Sequence, residues 1–261
     1  MTPTRRLRGF LLLGLAIVAA GSILSIPPIP QDTAYHRFAD HRRLFGVPNL
    51  LNVLTNAPFL ILGALGLVFT RRKDALRPNG PMTVPWERRS FQVLFSAMAL
   101  TGVGSAYYHL APDNRTLFWD RLPMTIVFMT LSALIIAERV SPEAGRWLFP
   151  WLLTAGIGSV VYWRQGELQG AGDLRFYYLV QFFPMLAIPL MLLWFPPRYT
   201  RGADLIGALG WYLLAKLFER LDRPIFALGG LVSGHTLKHL TAALSMYWIL
   251  RMLRARRPYP P

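Results

Sequence analysis

The stretch Ser233-Gly234-His235-Thr236-Leu237-Lys238-His239 places two histidines one helical turn apart at the start of a long apolar segment. Residues four apart on an α-helix lie on one face, so both imidazoles can reach a single metal ion. Ionisable side chains inside a membrane are costly and usually serve function. A pair of interfacial polar residues is the simpler alternative for this spacing, so other possible ligands have to be considered.

A third histidine, His109, ends another apolar segment. Ser105 lies four residues before it on the same helical face, and Asp120 opens the next apolar segment. His36 and His41, by contrast, stand in an arginine-rich loop without metal-ligand spacing. Three histidines at the ends of hydrophobic segments match the ligand number of a catalytic zinc site, which keeps one position open for water.

The composition indicates an integral membrane protein. The chain is 53% hydrophobic and 16% charged, and its apolar runs approach the roughly 20 residues that one helical span requires. The absence of cysteine excludes disulfides and thiolate ligands. The net charge of +15 does not indicate nucleic-acid binding, because the arginines cluster between apolar runs, as expected for topology signals and lipid-headgroup contacts.

The order of the apolar segments predicts an all-α membrane protein with eight spans. The predicted spans are 9–26, 49–69, 91–110, 119–137, 147–163, 176–195, 203–218 and 233–253. The first is expected to be a retained span, because it is long for a signal-peptide core and lacks a clear cleavage site. In the second, Asn49, Asn52 and Asn56 share one face. That face needs partners inside the bundle, either other helices or an ion.

The distribution of basic residues predicts the orientation in the membrane. Eight spans place both termini on one side, where the loops and tails carry seventeen arginine and lysine residues, against eight on the other side. Because cytoplasmic loops are rich in these residues, both termini are predicted to be cytoplasmic. The helix ends that carry His109, Asp120 and His235 then share the opposite side.

Taken together, Ser105-x3-His109, Asp120 and His235-x3-His239 resemble the signature of the alkaline ceramidases. These enzymes belong to a superfamily of seven-helix membrane hydrolases that includes the adiponectin-receptor-like proteins. The blocks PNLLNVLTNAP at 48–58 and GSAYYH at 104–109 are similar to the bacterial branch. The resemblance implies a seven-helix hydrolase core at 31–253, preceded by an extra N-terminal transmembrane helix within 1–30 and followed by a basic cytoplasmic tail at 254–261.

The resemblance also implies a role for each site residue. His109, His235 and His239 match the three zinc ligands of the family. Asp120 matches the acidic residue that holds the attacking water, and Ser105 matches the serine that steadies the substrate carbonyl. The implied activity is zinc-dependent hydrolysis of the amide of ceramide or a related N-acyl lipid, giving a fatty acid and an amine such as sphingosine. In a bacterial inner membrane, the site would face the periplasm.

The sequence departs from the animal enzymes at their calcium site. Those proteins bind calcium through an acidic loop just before the first core helix. They also have a glutamate at the start of that helix. By resemblance, the matching position here is Asn49 instead, and the preceding loop is basic, with Asp32 and Asp40 as its carboxylates. Because calcium takes several anionic or carbonyl oxygens, the sequence argues against a strong calcium site.

Two other functions are compatible with the same residues. One is a seven-helix receptor or channel-like protein with a structural metal, and the other is a helix bundle whose polar cluster packs without metal. Ser105 and Asp120 favour the hydrolase, because a structural zinc needs a fourth protein ligand and no pair of residues that handles water.

The predicted topology can be tested by thiol labelling. Since the protein has no cysteine, Asn114→Cys and Arg72→Cys each introduce a single reactive site. A membrane-impermeant thiol reagent applied to intact spheroplasts should label position 114 and not position 72, because the arginine bias puts residue 72 in the cytoplasm. Permeabilisation should make both positions reactive. The reverse labelling pattern would overturn the topology.

Overall fold

The computed structural model describes residues 3–260, and most of them are helical. The helices in chain order are α1 (Pro3–Ser25), α2 (Leu50–Leu54), α3 (Ala57–Arg71), α4 (Pro85–Leu110), α5 (Asn114–Ile135), α6 (Pro142–Leu168), α7 (Arg175–Trp194), α8 (Ala203–Arg220), α9 (Asp222–Ala227) and α10 (Gly234–Ala255). A π-helical segment, Ile136–Val140, extends α5, and a small hairpin pairs β1 (Arg43–Leu44) with β2 (Val47–Pro48). This confirms the predicted all-α membrane fold.

Each predicted span coincides with a long helix or with consecutive helical segments. Within the described part of the chain, four helical stretches are long and apolar enough to cross a membrane: Pro3–Ser25, Leu50–Arg71, Asn114–Val140 and Arg175–Trp194. The remaining long helices, α4, α6, α8 and α10, carry charged residues in their first or last turns. The count of seven core spans plus one stays a prediction.

The start of α10 is set by a capping serine. The Ser233 hydroxyl accepts a hydrogen bond from the backbone N–H of Thr236 at 3.2 Å, which satisfies one of the free donors of the first turn. Ser141 caps α6 in the same way. Because α10 begins at Gly234, His235 and His239 fall on its first two turns.

Two compact units divide the described chain. The histidine unit comprises residues 32–124 and 201–257 and contains every site residue predicted from the sequence. The α1 unit comprises the described parts of 1–31, 125–200 and 258–261. The functional division at 1–30, 31–253 and 254–261 stays a prediction.

Arginine side chains hold both ends of α1 within its unit. Arg5 Nη2 donates to the carbonyl oxygen of Val140 at 3.0 Å, where the π-helical segment ends. Arg175 donates to the carbonyl oxygen of Ile26 and pairs with Asp173 at 2.9 Å. Because the last carbonyls of a helix carry partial negative charge, cationic side chains are favourable there. These contacts support α1 as an integral part of its unit.

In the histidine unit, α3 packs along α4 and α10 packs along α8. Phe91, Leu94, Phe95 and Met98 of α4 are almost fully buried and supply the apolar core. The end of α4 beyond them is different, because buried polar side chains replace the apolar ones. Because buried polar atoms require hydrogen-bond or metal partners, this end of α4 is a candidate for a functional site.

Candidate metal centre

Three imidazoles from two helices meet in the histidine unit. His109 comes from the last turn of α4, while His235 and His239 come from the start of α10. Their ligand nitrogens all lie within 4.8 Å of one another, and each residue is at most 4% exposed. The structure therefore brings together the three histidines that the sequence predicted as ligands, although they lie on segments far apart in the chain.

The geometry of the ring nitrogens fits a metal ion. His109 Nε2 and His239 Nε2 are 3.2 Å apart. Two nitrogens bound to one tetrahedral zinc at about 2.0–2.1 Å are about 3.4 Å apart. His235 Nε2 is buried and has no hydrogen-bond partner among the described residues. A metal held at this point would give that nitrogen a partner.

Asparagines from α2 and its flanks bond to the helices that carry the histidines. Asn49 Nδ2 donates to the carbonyl oxygen of His109 at 2.9 Å. Asn52 Oδ1 accepts from the hydroxyl of Thr236 at 2.8 Å. Asn56 Nδ2 donates to the carbonyl oxygen of Asn52 at 2.7 Å. Asn49 and Asn52 therefore bond to residues of α4 and α10, whereas the Asn56 bond lies within its own helical segment. Asn52 Nδ2 and Asn56 Oδ1 are buried without a hydrogen-bond partner among the described residues, so both roles open from the sequence stay predictions.

Two further contacts fix the histidines of α10. The hydroxyl of Thr55 lies 3.0 Å from His239 Nδ1, so the ring nitrogen away from the cluster is held, as is usual for metal-binding histidines. Asp222 accepts from the backbone N–H of His235 and from that of Ala39, each at 2.8 Å. The first turn of α10 and the loop before α2 are thereby tied to one carboxylate.

Ser105 and Asp120 form a pair beside the histidines. The Ser105 side chain is hydrogen-bonded to the Asp120 carboxylate, and both residues are buried. Gly104 allows the close approach of α4 and α5 that this contact needs, because a Cβ there would lie 2.1 Å from the carbonyl oxygen of Trp119. Among the described residues, the group that could hold a metal ion consists of the three histidines and does not include the carboxylate of Asp120.

The carboxylate of Asp40 is engaged by an arginine. Arg42 Nε lies 2.7 Å from Oδ1, and Arg42 Nη2 lies 2.8 Å from Oδ2. Hydrogen bonding from Arg42 holds the pKa of Asp40 below its usual value. An ion pair at this position supports the argument against a strong calcium site near Asp40 and Asn49.

A buried charged cluster that was not predicted from the sequence lies close to Asp120. Glu219 accepts from Lys238 Nζ at 2.6 Å and from the hydroxyl of Tyr35 at 3.2 Å. Lys216 also pairs with Glu219. The spacing of Lys216 and Glu219, three residues apart on α8, was a signal for an ion pair. The contact with Lys238 joins α8 to the helix that carries two of the histidines.

Phe38 was also missed. Its ring centroid lies 4.6 Å from the ring centroids of both His109 and His235, and only 7% of the residue is exposed. The available sequence signal was a large apolar residue in a segment rich in charged residues. Its position over two ligand rings could not be inferred without the path of the loop.

Comparison with known families gives one match. A family model described as Ceramidase matches residues 45–185, which is more than half of the 261-residue chain. The matched region contains Ser105, His109 and Asp120, whereas the two histidines of α10 lie beyond it. No curated protein matched the chain in a separate sequence comparison.

Gly104→Ala is expected to destabilise the protein by about 1–3 kcal/mol, the usual range for forcing extra atoms into a packed interior. The reason is the contact of the new Cβ with the backbone of Trp119. Gly210→Ala on α8 is the matched control, because a Cβ there has nothing within 4 Å and alanine favours the helix. Thermal unfolding in detergent measures the difference, and equal midpoints for the two variants would contradict the close helix contact.

Proposed function

Because this chain belongs to the ceramidase family, we propose that it is a zinc-dependent integral membrane amidase. The proposed substrate is ceramide or a related N-acyl lipid, whose amide bond is hydrolysed to a fatty acid and an amine such as sphingosine. Membership of the family makes the protein a hydrolase that acts on lipid amide bonds. The metal, the residues that carry out the reaction and the side of the membrane on which it takes place belong to the proposal.

The observation that carries the proposal is the position of the Ser105–Asp120 pair relative to the histidines. Ser105 lies four residues before His109 on α4, so the two side chains are neighbours on one helical face. Three neutral imidazoles match the three protein ligands of a catalytic zinc site, whose fourth position is open to water. The neighbouring carboxylate of Asp120 would act on that water and not bind the metal. A structural zinc has a fourth protein ligand instead.

His109, His235 and His239 would hold the zinc ion. When bound, zinc supplies Lewis acidity that polarises a carbonyl oxygen and lowers the pKa of water to about 7. Three neutral ligands leave the ion its full positive charge, which favours this chemistry. The contacts of Thr55 with His239 and of Asn49 with the backbone of His109 would keep the ligands in place without a substrate.

Asp120 would manage the protons of the reaction. Its carboxylate accepts a proton from the attacking water, whose oxygen forms a bond to the amide carbon. The same proton then passes to the amide nitrogen as the C–N bond breaks and the electron pair of that bond stays on nitrogen. The products are a carboxylic acid and an amine, so one water molecule is consumed for each bond cleaved.

Ser105 would orient Asp120 and then the substrate. Before the amide enters, the Ser105 hydroxyl is bonded to the Asp120 carboxylate, which holds the general base in position. A hydroxyl in this place can turn to donate to the carbonyl oxygen as negative charge develops on it. Both tasks need only rotation about the Ser105 side chain.

The setting of the site suits a lipid substrate. The histidines and Asp120 stand near the ends of long helices, and we propose that this places them close to the level of the amide of a two-chain lipid, just below the headgroups. The acyl chains of such a lipid can remain in the bilayer while the amide reaches the metal centre. We further propose a bacterial inner-membrane location with the site toward the periplasm, on the basis of the arginine distribution.

His235→Ala and His239→Ala should each remove most of the bound zinc and all measurable release of fatty acid from ceramide. Each substitution leaves at most two of the three imidazoles, which is too few for a stable zinc site. Metal analysis of the purified protein and an assay of fatty-acid release are the measurements. His41→Ala is the control, because His41 is exposed and lies outside the cluster.

Two results would change the proposal. Stoichiometric zinc in the His235→Ala, His239→Ala double variant would show that these residues do not bind the metal. Stoichiometric zinc in the natural protein, with no hydrolysis of any N-acyl lipid, would favour the receptor or channel-like alternative.

Asp120→Asn should keep its zinc and lose turnover by about a hundredfold or more, the usual scale of general acid–base catalysis. An asparagine can hold a water molecule but cannot accept its proton. Asp74→Asn is the control, because Asp74 is a surface carboxylate paired with Arg72. Equal activity of Asp120→Asn and the natural protein would make Asp120 a structural residue.

A further inference from the structure

A short segment before α2 covers the metal centre. We refer to residues 32–42 as the strap. At its middle, the ring of Phe38 lies 4.6 Å from the rings of His109 and His235, measured between centroids. Aromatic rings at this separation are in van der Waals contact. No water molecule fits between rings in such contact, so Phe38 shields this side of the two imidazoles from water.

The strap is bonded to the rest of the histidine unit on both sides of Phe38. On the N-terminal side, His36 contacts the hydroxyl of Tyr108 at 2.9 Å through Nδ1 and Asn114 Oδ1 at 2.8 Å through Nε2. On the C-terminal side, the backbone N–H of Ala39 donates to Asp222 at 2.8 Å. These bonds hold Phe38 against the histidines and do not depend on a bound ligand.

A further bond closes the C-terminal end of the strap. Arg42 Nη2 donates to the carbonyl oxygen of Leu231 at 2.8 Å while its guanidinium pairs with Asp40. Leu231 stands shortly before the capping serine of α10. The strap therefore reaches from the end of α4 to the start of α10, which are the two places that supply the histidines.

The residues of the strap differ in exposure. Asp32, Arg37 and His41 are exposed, whereas Phe38 and Asp40 are buried. Exposed charged residues place the outer face in water, because charges are not stable against lipid chains. The strap thus stands between the aqueous phase and the metal centre.

From these contacts we infer that Phe38 is a specificity-determining residue that closes the aqueous route to the metal centre for solutes larger than water. Amides then reach the centre from the bilayer, and water-soluble short-chain amides are poor substrates. Exclusion of bulk water also strengthens the electrostatic interactions of the reaction. The statement about substrates rests on the proposed function, but the closing of the centre to water does not.

The first experiment measures access to the metal without any substrate. Zinc-loaded protein in detergent is mixed with a water-soluble chelator, and the rate of zinc release is followed with a metal-sensitive dye. Phe38→Ala should release zinc about tenfold faster than the natural protein, because the site no longer requires local opening of the strap. Phe38→Leu, which keeps an apolar side chain of intermediate size, should fall between them.

Phe45→Ala is the matched control. It removes the same side chain from the neighbouring hairpin, where Phe45 is 98% exposed, and it should leave the rate of zinc release unchanged. Equal rates for Phe38→Ala, Phe38→Leu and the natural protein would overturn the inference. Equal acceleration by Phe45→Ala would also overturn it, because the effect would not depend on the cover over the histidines.

The second experiment needs no metal. Metal-free protein is treated with diethyl pyrocarbonate, which modifies accessible imidazoles, and the modification of His109 and His235 is followed by mass spectrometry. Phe38→Ala should raise the modification rate of both histidines, while His41 serves as the exposed reference in every variant. Unchanged rates at His109 and His235 would contradict a closed aqueous route even if the protein proved to bind no zinc.

The third experiment addresses substrate choice. The ratio of hydrolysis of a water-soluble short-chain N-acyl amine to that of long-chain ceramide should rise in Phe38→Ala and stay constant in Phe45→Ala. A constant ratio in Phe38→Ala would overturn the role in specificity. If the natural protein hydrolyses neither compound, the proposed function fails, whereas the zinc-release and modification rates still decide whether Phe38 closes the centre.

Discussion

Burial of three imidazoles at one point is the constraint on which the histidine unit depends. Each ring brings two polar nitrogens into a buried part of the unit, and unpaired buried polar atoms are costly. The hydroxyl of Thr55 contacts Nδ1 of His239, whereas His109 Nδ1 and His235 Nε2 have no hydrogen-bond partner among the described residues. Asn49 and Asp222 bind backbone groups of His109 and His235 and so fix the positions of the two residues.

The same constraint explains why the helices approach closely in two places. Gly104 lets α4 and α5 come near enough for the bond between Ser105 and Asp120. Gly234 allows the start of α10 to approach α8 closely, because a Cβ there would lie 2.3 Å from the carbonyl oxygen of Phe218 on α8. Small residues therefore bring together the helices that carry the proposed site residues, as is common in membrane bundles.

Helical periodicity explains what could be predicted from the sequence. The spacing of His235 and His239, and that of Ser105 and His109, fixes their relative positions because a helix has one geometry. The apolar lengths of the spans predicted the helices for the same reason. Phe38 and Asp222 could not be placed in this way, because the course of a loop is set by distant contacts such as that of Ala39 with Asp222. The asparagines of α2 and its flanks were predicted as an inward face, but their individual partners, such as the carbonyl oxygen of His109 for Asn49, depend on the packing of distant helices.

A centre built only from imidazoles also has a consequence for metal selectivity. The chain contains no cysteine, so oxidants have no thiolate to attack at the site, and loading does not depend on a reducing environment. The same donor set offers little protection against the wrong ion. Copper(II) binds nitrogen ligands more tightly than zinc does in the Irving–Williams order. The affinity of the three rings alone would therefore not select zinc over copper. If the three histidines bind a metal, the ion that they hold would depend on the supply of copper and zinc and on how well the geometry suits each ion.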